Sequence, residues 1–383
     1  KNTGMNNLHT ISESHRPLRG TTLDLISQGS KHCLVLDTPF HLAHTDIPFD
    51  QVHYFSNLDT IYPDAWQDIL DRKTKLIFMF TDWWHTVNVN ETHNQLSGNL
   101  ISLDLYKICY ELCKRYNILD NSSFISPSSI QYVEQFDDWP IVNYNEPFNR
   151  YFEFSRDIEV LYNTTPMQKH FLWLNRRSRE HRMYAQHQAY KMDLFNNCIY
   201  SLHDLENWSD QEFTKFLSEY LDPKDIDLTF RKLKKRLDHG YSAVTDKQHL
   251  SEITDLKYYS EQTYLDIVGE FNCSNHKVFL TEKVSRSIVL GKPFVVFGDR
   301  GSLHELRSLG FRTFGDFWDE RYDKLSTSKQ RIDAALQTLD WIRNNIDITQ
   351  GYSNDMIEIL EYNRKHYNTI WMQSQLELFK KIL

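Results

Sequence analysis

The chain from Tyr264 to Phe314 reads YLDIVGEFNCSNHKVFLTEKVSRSIVLGKPFVVFGDRGSLHELRSLGFRTF. Tyr264–Val268 is an apolar run of strand length, and Glu270 stands just past its carboxyl end. After a short polar loop, Thr281 is placed to cap a helix over Val284–Leu290, and Gly291 to stop it. Pro293–Phe297 follows as a second strand. Its run Phe294-Val295-Val296-Phe297 is apolar on both faces, as in parallel strands covered by helices. Two such strands joined by a helix make a right-handed crossover, and in open α/β sheets ligands bind outside the carboxyl ends of the strands. Glu270 and Thr281-Glu282-Lys283 fall there. Downstream, Gly298-Asp299-Arg300-Gly301 leads into a helix over Ser302–Leu309, Gly310 stops it, and Phe311–Phe314 reads as a small strand.

The ordered set resembles the donor-binding half of α-1,3-fucosyltransferase-like enzymes: an acid ending a strand, a loop, T-E-K opening a helix, then G-x-P and an apolar run closed by Gly298. Phage and bacterial proteins with the same block are similar. Those enzymes are two-domain glycosyltransferases of the GT-B architecture. The resemblance therefore implies two Rossmann-like α/β domains facing a cleft, with a nucleotide-sugar donor on the second. It covers residues 169 onward. Where that family has Phe-Glu-Asn, this chain has Glu270-Phe271-Asn272, so the resemblance names no sugar.

The second unit, over 169–350, opens with the strand His170–Leu174 and runs into Asn175-Arg176-Arg177-Ser178-Arg179-Glu180-His181-Arg182, after which Met183–Met192 continues as a helix. Four Arg at a strand-to-helix turn suit a phosphate. Guanidinium forks bind its oxygens bidentately, and a helix N-terminus adds its own positive end. In the family resembled, an Arg at an equivalent strand end meets the donor pyrophosphate, which points to Arg176 or Arg177. Arg179 joins them as a donor-site candidate, with Tyr259, Glu270, Thr281, Glu282 and Lys283. Tyr258-Tyr259 offers a ring to stack on a base or sugar. Asn197–Leu202 reads as a strand and Asp210–Tyr220 as a helix. Five of the six residues from Arg231 to Arg236 are basic, which fits either a solvated helix face or a nucleic-acid backbone. Asp225-x-Asp227 precedes a helix rather than ending a strand, which argues against a metal-binding acid pair. Long amphipathic helices are expected over Ser326–Asn345 and Asp355–Leu383, the second (353–383 with its cap) long enough to pack across a domain boundary.

Residues 5–165 read as a first α/β unit on the acceptor side, with 150–168 as the link. Cys33–Asp37 is a short strand, Lys75–Thr81 a strong one, and Phe124–Ile125 and Ile141–Asn143 weaker ones. Asn99–Tyr116 places Leu100, Leu103, Ile108 and Leu112 near helical spacing. Asp82-Trp83-Trp84-His85 follows the strong strand: an acid and an imidazole beside two indoles, suited to a catalytic base with a stacking floor. A packed Trp pair with incidental polar neighbours is the competing reading. His41-x-x-His44-x-Asp46 has a passable metal spacing but lacks further ligands nearby, and no metal is assigned.

With 383 residues the chain has room for two ordinary domains. A net charge of −9 supplies no global field for nucleic acid or anionic membrane, so any polyanion site is a local patch. Five Cys, an odd number without short spacing, form neither a disulfide framework nor a zinc ribbon. No apolar run approaches the roughly 20 residues that span a bilayer. A cytoplasmic protein is expected. The Walker and dinucleotide glycine fingerprints are both absent.

These residues predict a glycosyltransferase that uses a nucleotide sugar as co-substrate, with no metal and no further cofactor. Its acceptor hydroxyl belongs to a glycan or to a modified base in DNA. Departure of the sugar builds negative charge on the diphosphate, which Arg176, Arg177 and Lys283 would stabilise. Glu270 and Glu282 are expected to accept hydrogen bonds from ribose or sugar hydroxyls. Asp82, then His85, are the candidate bases. The alternative is a non-catalytic nucleotide- or carbohydrate-binding module on the same fold.

Overall fold

The structure is a computed structural model in which residues 10–11, 32–37, 63–79, 105–126, 137–139, 141–143, 148, 155, 158–164, 166–175, 179–201, 208–232, 256–273, 278–371, 373–375 and 377–378 are described. The chain divides into two compact units, one of residues 1–147 with 372–383, the other of residues 148–371. Each is built on a parallel sheet with helices.

The first unit contains β1 (Thr10–Ile11), β2 (His32–Asp37), β3 (Thr74–Met79), β4 (Ser122–Ser126) and β5 (Ile141–Asn143), paired in that order and all parallel. Helix α1 (Pro63–Leu70) joins β2 to β3, and α2 (Leu105–Arg115) joins β3 to β4. Parallel neighbours need such crossovers. The predicted strand Lys75–Thr81 is β3, and its Leu76, Ile77 and Phe78 are buried as its apolar run requires. Tyr106 of α2 stacks on Trp139 at 5.5 Å, and Phe124 meets Tyr106 edge-on at 5.1 Å. Sequence reading missed β1 and α1. The first is two residues long, and the second carries Pro at its first position, where the missing N–H costs nothing.

The second unit holds β6 (Lys169–Leu174), β7 (Cys198–Ser201), β8 (Thr263–Gly269) and β9 (Phe294–Phe297), in the order β7-β6-β8-β9 and again all parallel. Helix α3 (Glu180–Lys191) links β6 to β7, and α4 (Asp210–Leu217) follows under a Ser209–Glu212 capping box. Helix α5 (Glu282–Val289) links β8 to β9, and α6 (Ser302–Ser308) comes next. The unit closes with α7 (Ser328–Asn345) and α8 (Asn354–His366). All seven residues of β8 and all four of β9 are buried. The chain leaves β6 toward β7 on one side and reaches β8 on the other, so the strand order reverses between β6 and β8. That is the topological switch point, the usual ligand position in such sheets.

Three expectations change here. Phe311–Phe314 is not a strand: Arg312 exchanges its backbone N–H and C=O with the side-chain amide of Asn363, and Phe314 N donates to Glu320 at 2.8 Å. With those groups satisfied by side chains, the segment needs no strand partner. The last helix does not run as one α-helix from Asp355, because α8 passes at His366 into a π-turn over Tyr367–Trp371. That turn brings Tyr367 and Trp371 edge-on to Phe148, at 5.6 and 5.5 Å. Within the stretch expected as a link, Asn163 belongs to the second unit, exchanging hydrogen bonds of 2.9 and 2.7 Å with the backbone of Tyr352. No helix among the described residues is long and apolar enough to cross a membrane.

Candidate functional site

The carboxyl ends of β6 and β8 adjoin. Trp173 pairs with Ile267, so two residues further Asn175 stands level with Gly269. A Cβ on Gly269 would lie 3.1 Å from Asn175 Oδ1, so glycine is what lets the two strand ends close up. Asn175 is anchored through its backbone, whose N–H donates to Ser201 at the end of β7. Its side chain is 2% exposed, and neither Nδ2 nor Oδ1 has a hydrogen-bond partner.

Glu270 is the hub of this end. Its backbone carbonyl accepts from Arg182 Nε at 3.0 Å, from Arg182 Nη2 at 2.8 Å and from His181 Nε2 at 3.1 Å, all from the first turn of α3. Its carboxylate faces the other way. Oε1 accepts from Thr281 N at 3.0 Å, and Oε2 accepts from the Thr281 hydroxyl. Burial pushes the Glu270 carboxyl above its ordinary range, while the Lys283 ammonium and the Thr281 bonds pull it back. Burial and the neighbouring Arg182 hold the His181 imidazole far below its ordinary range, at about 3. It is neutral at pH 7, with Nε2–H as the donor to the carbonyl.

Thr281 also caps α5, accepting from Lys283 N at 3.3 Å, as its position before the helix predicted. Lys283 Nζ folds back to Thr281 Oγ1 at 3.1 Å and to Glu282 Oε1 at 2.9 Å, with both Lys283 and Glu282 partly exposed. The Arg179 guanidinium lies 4.0 Å over the Phe271 ring, which orients its planar fork. Arg331 of α7 donates to the Cys273 carbonyl at 2.8 Å and pins the loop that leaves Glu270. The neighbouring α6 N-terminus is already filled, since Asp323 accepts from Leu303 N and His304 N.

Of the donor-site candidates, Arg179, Glu270, Thr281, Glu282 and Lys283 thus come together at the switch point. Tyr259 does not. It is buried on the helical turn over 256–261 that leads into β8, at the amino end of that strand. Seven strand residues separate it from Glu270, about 20 Å along the sheet. Arg176, Arg177, Asp82 and His85 lie outside the described residues, as do His41, His44 and Asp46. Only the start of the basic run is described, in a 3₁₀ turn over Leu228–Lys232. Asp227 is spent on local turn bonds to Thr229 and Asp225 sits in a short 3₁₀ turn. Among the described residues no group of three metal-ligating side chains gathers.

Sequence reading missed Asn175 and His181 as parts of this site. Arg182, one of the four Arg read as suited to a phosphate, is instead buried and bonded to the Glu270 carbonyl. No family model matches the chain, and no curated protein matches it.

Proposed function

We propose that the second unit binds the diphosphate of a nucleotide sugar at the carboxyl ends of β6 and β8, and that the protein is a glycosyltransferase. One observation carries the reading: the first turn of α3, which follows β6, and the T-E-K turn opening α5 meet on one residue, Glu270. Cations on those two turns can therefore address one ligand. Arg179 lies on one side and Lys283 on the other, with the capped start of α5 beside it; Arg176 and Arg177 join them in this reading on the strength of the sequence.

In the proposed reaction the bond between the anomeric carbon and the diphosphate oxygen breaks while a bond to the acceptor oxygen forms. The acceptor proton passes to Asp82, or to His85, and the nucleoside diphosphate departs. Negative charge grows on the diphosphate, so preorganised cations lower this barrier more than they tighten ground-state binding. Those cations remove the need for a divalent ion.

Isothermal titration of the protein with a panel of nucleotide sugars, followed by an assay for donor hydrolysis and transfer, tests the proposal. Binding of one donor with turnover is expected. Absence of binding across the panel overturns it. Binding without turnover under any acceptor moves the protein to the binding-module reading. A DNA acceptor predicts affinity that falls steeply with salt through Arg231–Arg236; flat binding across a salt series leaves a glycan.

A further inference from the structure

The ribose-reading role expected of Glu270 sits badly with its geometry. Each carboxylate oxygen already accepts a bond from Thr281, and the group is fully buried. Asn175 presents the opposite case. Its amide lies at the same strand end and is as deeply buried, yet both of its polar atoms are unpaired.

Folded proteins rarely leave a buried polar group without a partner, and where they do the group usually serves something beyond the fold. Among the described residues one other side-chain amide has both atoms unpaired, that of Gln186. It stands four residues after Arg182 inside α3, behind the strand ends. Asn175 alone of the two is at the switch point. Its position is also fixed. Its backbone N–H is held by Ser201, and Gly269 leaves room for Oδ1 where any side chain would crowd it.

We propose that Asn175 reads the ribose of the donor: Nδ2 donates to one hydroxyl of the vicinal diol, and Oδ1 accepts from the other. An amide supplies one donor and one acceptor side by side, and a diol returns the complementary pair. The contact forms out of water, where a hydrogen bond is stronger and a missing one costs more. The site therefore favours a ribonucleotide over a nucleotide without the diol. This inference rests on the donor site proposed above.

The test uses the full chain and two substitutions, Asn175→Leu and Asn175→Ala. Leucine has the same branched four-atom side-chain skeleton, though bulkier methyls, and has no polar atom to leave unpaired, so Asn175→Leu should stay folded with a urea midpoint close to that of the wild type. Titration uses guanosine, uridine, cytidine and adenosine diphosphates, then the 2′,3′-dideoxy form of the one bound best. In the wild type, loss of the diol should weaken binding at least tenfold. In Asn175→Leu the ribonucleotide should bind at least tenfold more weakly, and the penalty for losing the diol should vanish. Asn175→Ala, which removes both polar atoms without adding bulk or charge, should also bind more weakly; it stands in if the leucine variant does not fold. A diol penalty that persists in the variant, or a ribonucleotide affinity left intact, overturns the assignment. A wild type that binds none of the four diphosphates overturns the donor site itself, a different failure.

Discussion

Glu270 and Thr281 stand eleven residues apart and are joined twice, Oε1 to the Thr281 N–H and Oε2 to its hydroxyl. The same hydroxyl oxygen accepts from Lys283 N and caps α5. Thr281→Val keeps the shape and the N–H but removes the hydroxyl. It leaves one oxygen of a buried carboxylate unpaired and the helix uncapped, a loss of about 2–4 kcal/mol. Thr281→Ser should retain most of the stability. Urea unfolding of the two variants checks this, and equal midpoints would show that the hydroxyl carries neither bond.

Lys283→Ala and Arg176→Ala should each lower kcat/KM for the donor by on the order of 10²-fold, the scale for losing a group that stabilises developing charge. Lys283→Ala should change the unfolding free energy by no more than about 1 kcal/mol, because Lys283 pairs at a partly exposed position. Normal turnover in both variants removes the phosphate site as assigned.

Acid should unfold the second unit through His181. Its folded pKa of about 3 lies well below the usual 6.5 because it is buried beside Arg182. Between those values the unfolded chain binds the proton and the folded chain does not. Stability is therefore whole above about pH 6.5 and falls as pH drops toward 3, by on the order of 4 kcal/mol. His187, held near 4 by burial, acts in the same direction. His181→Gln keeps a donor for the Glu270 carbonyl and should flatten the slope. An unchanged slope would mean that His181 is not held neutral.

Lys292 should produce the less usual alkaline effect. It lies buried under the Tyr352 ring, near Asp266 and Glu261, and burial lowers its ammonium to about 7 from the ordinary 10.5. The unfolded chain holds the proton between those values, so this residue makes stability rise with pH from about 7 toward 10. The Asp266 carboxyl is raised by burial, so its contribution is present below about pH 3.8 and is lost as pH rises through its folded value, opposite in sign to that of Lys292. Tyr162 and Tyr264, pushed up to about 12, oppose the rise only above about pH 10. Lys292→Met should abolish the rise, as read from urea midpoints at pH 7, 8.5 and 9.5.

Gly291 closes α5 at φ +62°, and a Cβ there would sit 2.7 Å from the Tyr162 hydroxyl and 2.9 Å from a Val160 methyl. Gly291→Ala combines a left-handed backbone with two collisions and should cost about 1–3 kcal/mol by thermal unfolding. A cost near zero would place Tyr162 elsewhere.

What the sequence made legible was local. Thr281 before α5 and Gly291 after it are signals within one turn of the feature they mark, and the run Phe294–Phe297 announces a strand covered on both faces. What stayed hidden depends on partners far along the chain. The α6 N-terminus is capped by Asp323, some twenty residues away, and no local pattern announces that. Phe311–Phe314 has strand composition, but Asn363 of α8 satisfies Arg312 before a strand could form. Tyr259 is near Glu270 in the sequence and distant in space, because a whole strand lies between. The amide of Asn175 had no signature at all. Its unpaired state is a property of three strand ends meeting, not of the residues beside it.

The double use of Glu270, carbonyl toward α3 and carboxylate toward α5, has a consequence for how this protein can change. A mutation at position 270 leaves the carbonyl in place, so His181 and Arg182 keep their acceptor whatever side chain arrives. Only the grip on Thr281 is exposed to substitution. The start of α5 can thus be retuned by ordinary point changes while the seam that docks α3 survives, a division of labour that shields the scaffold from experiments on the proposed site.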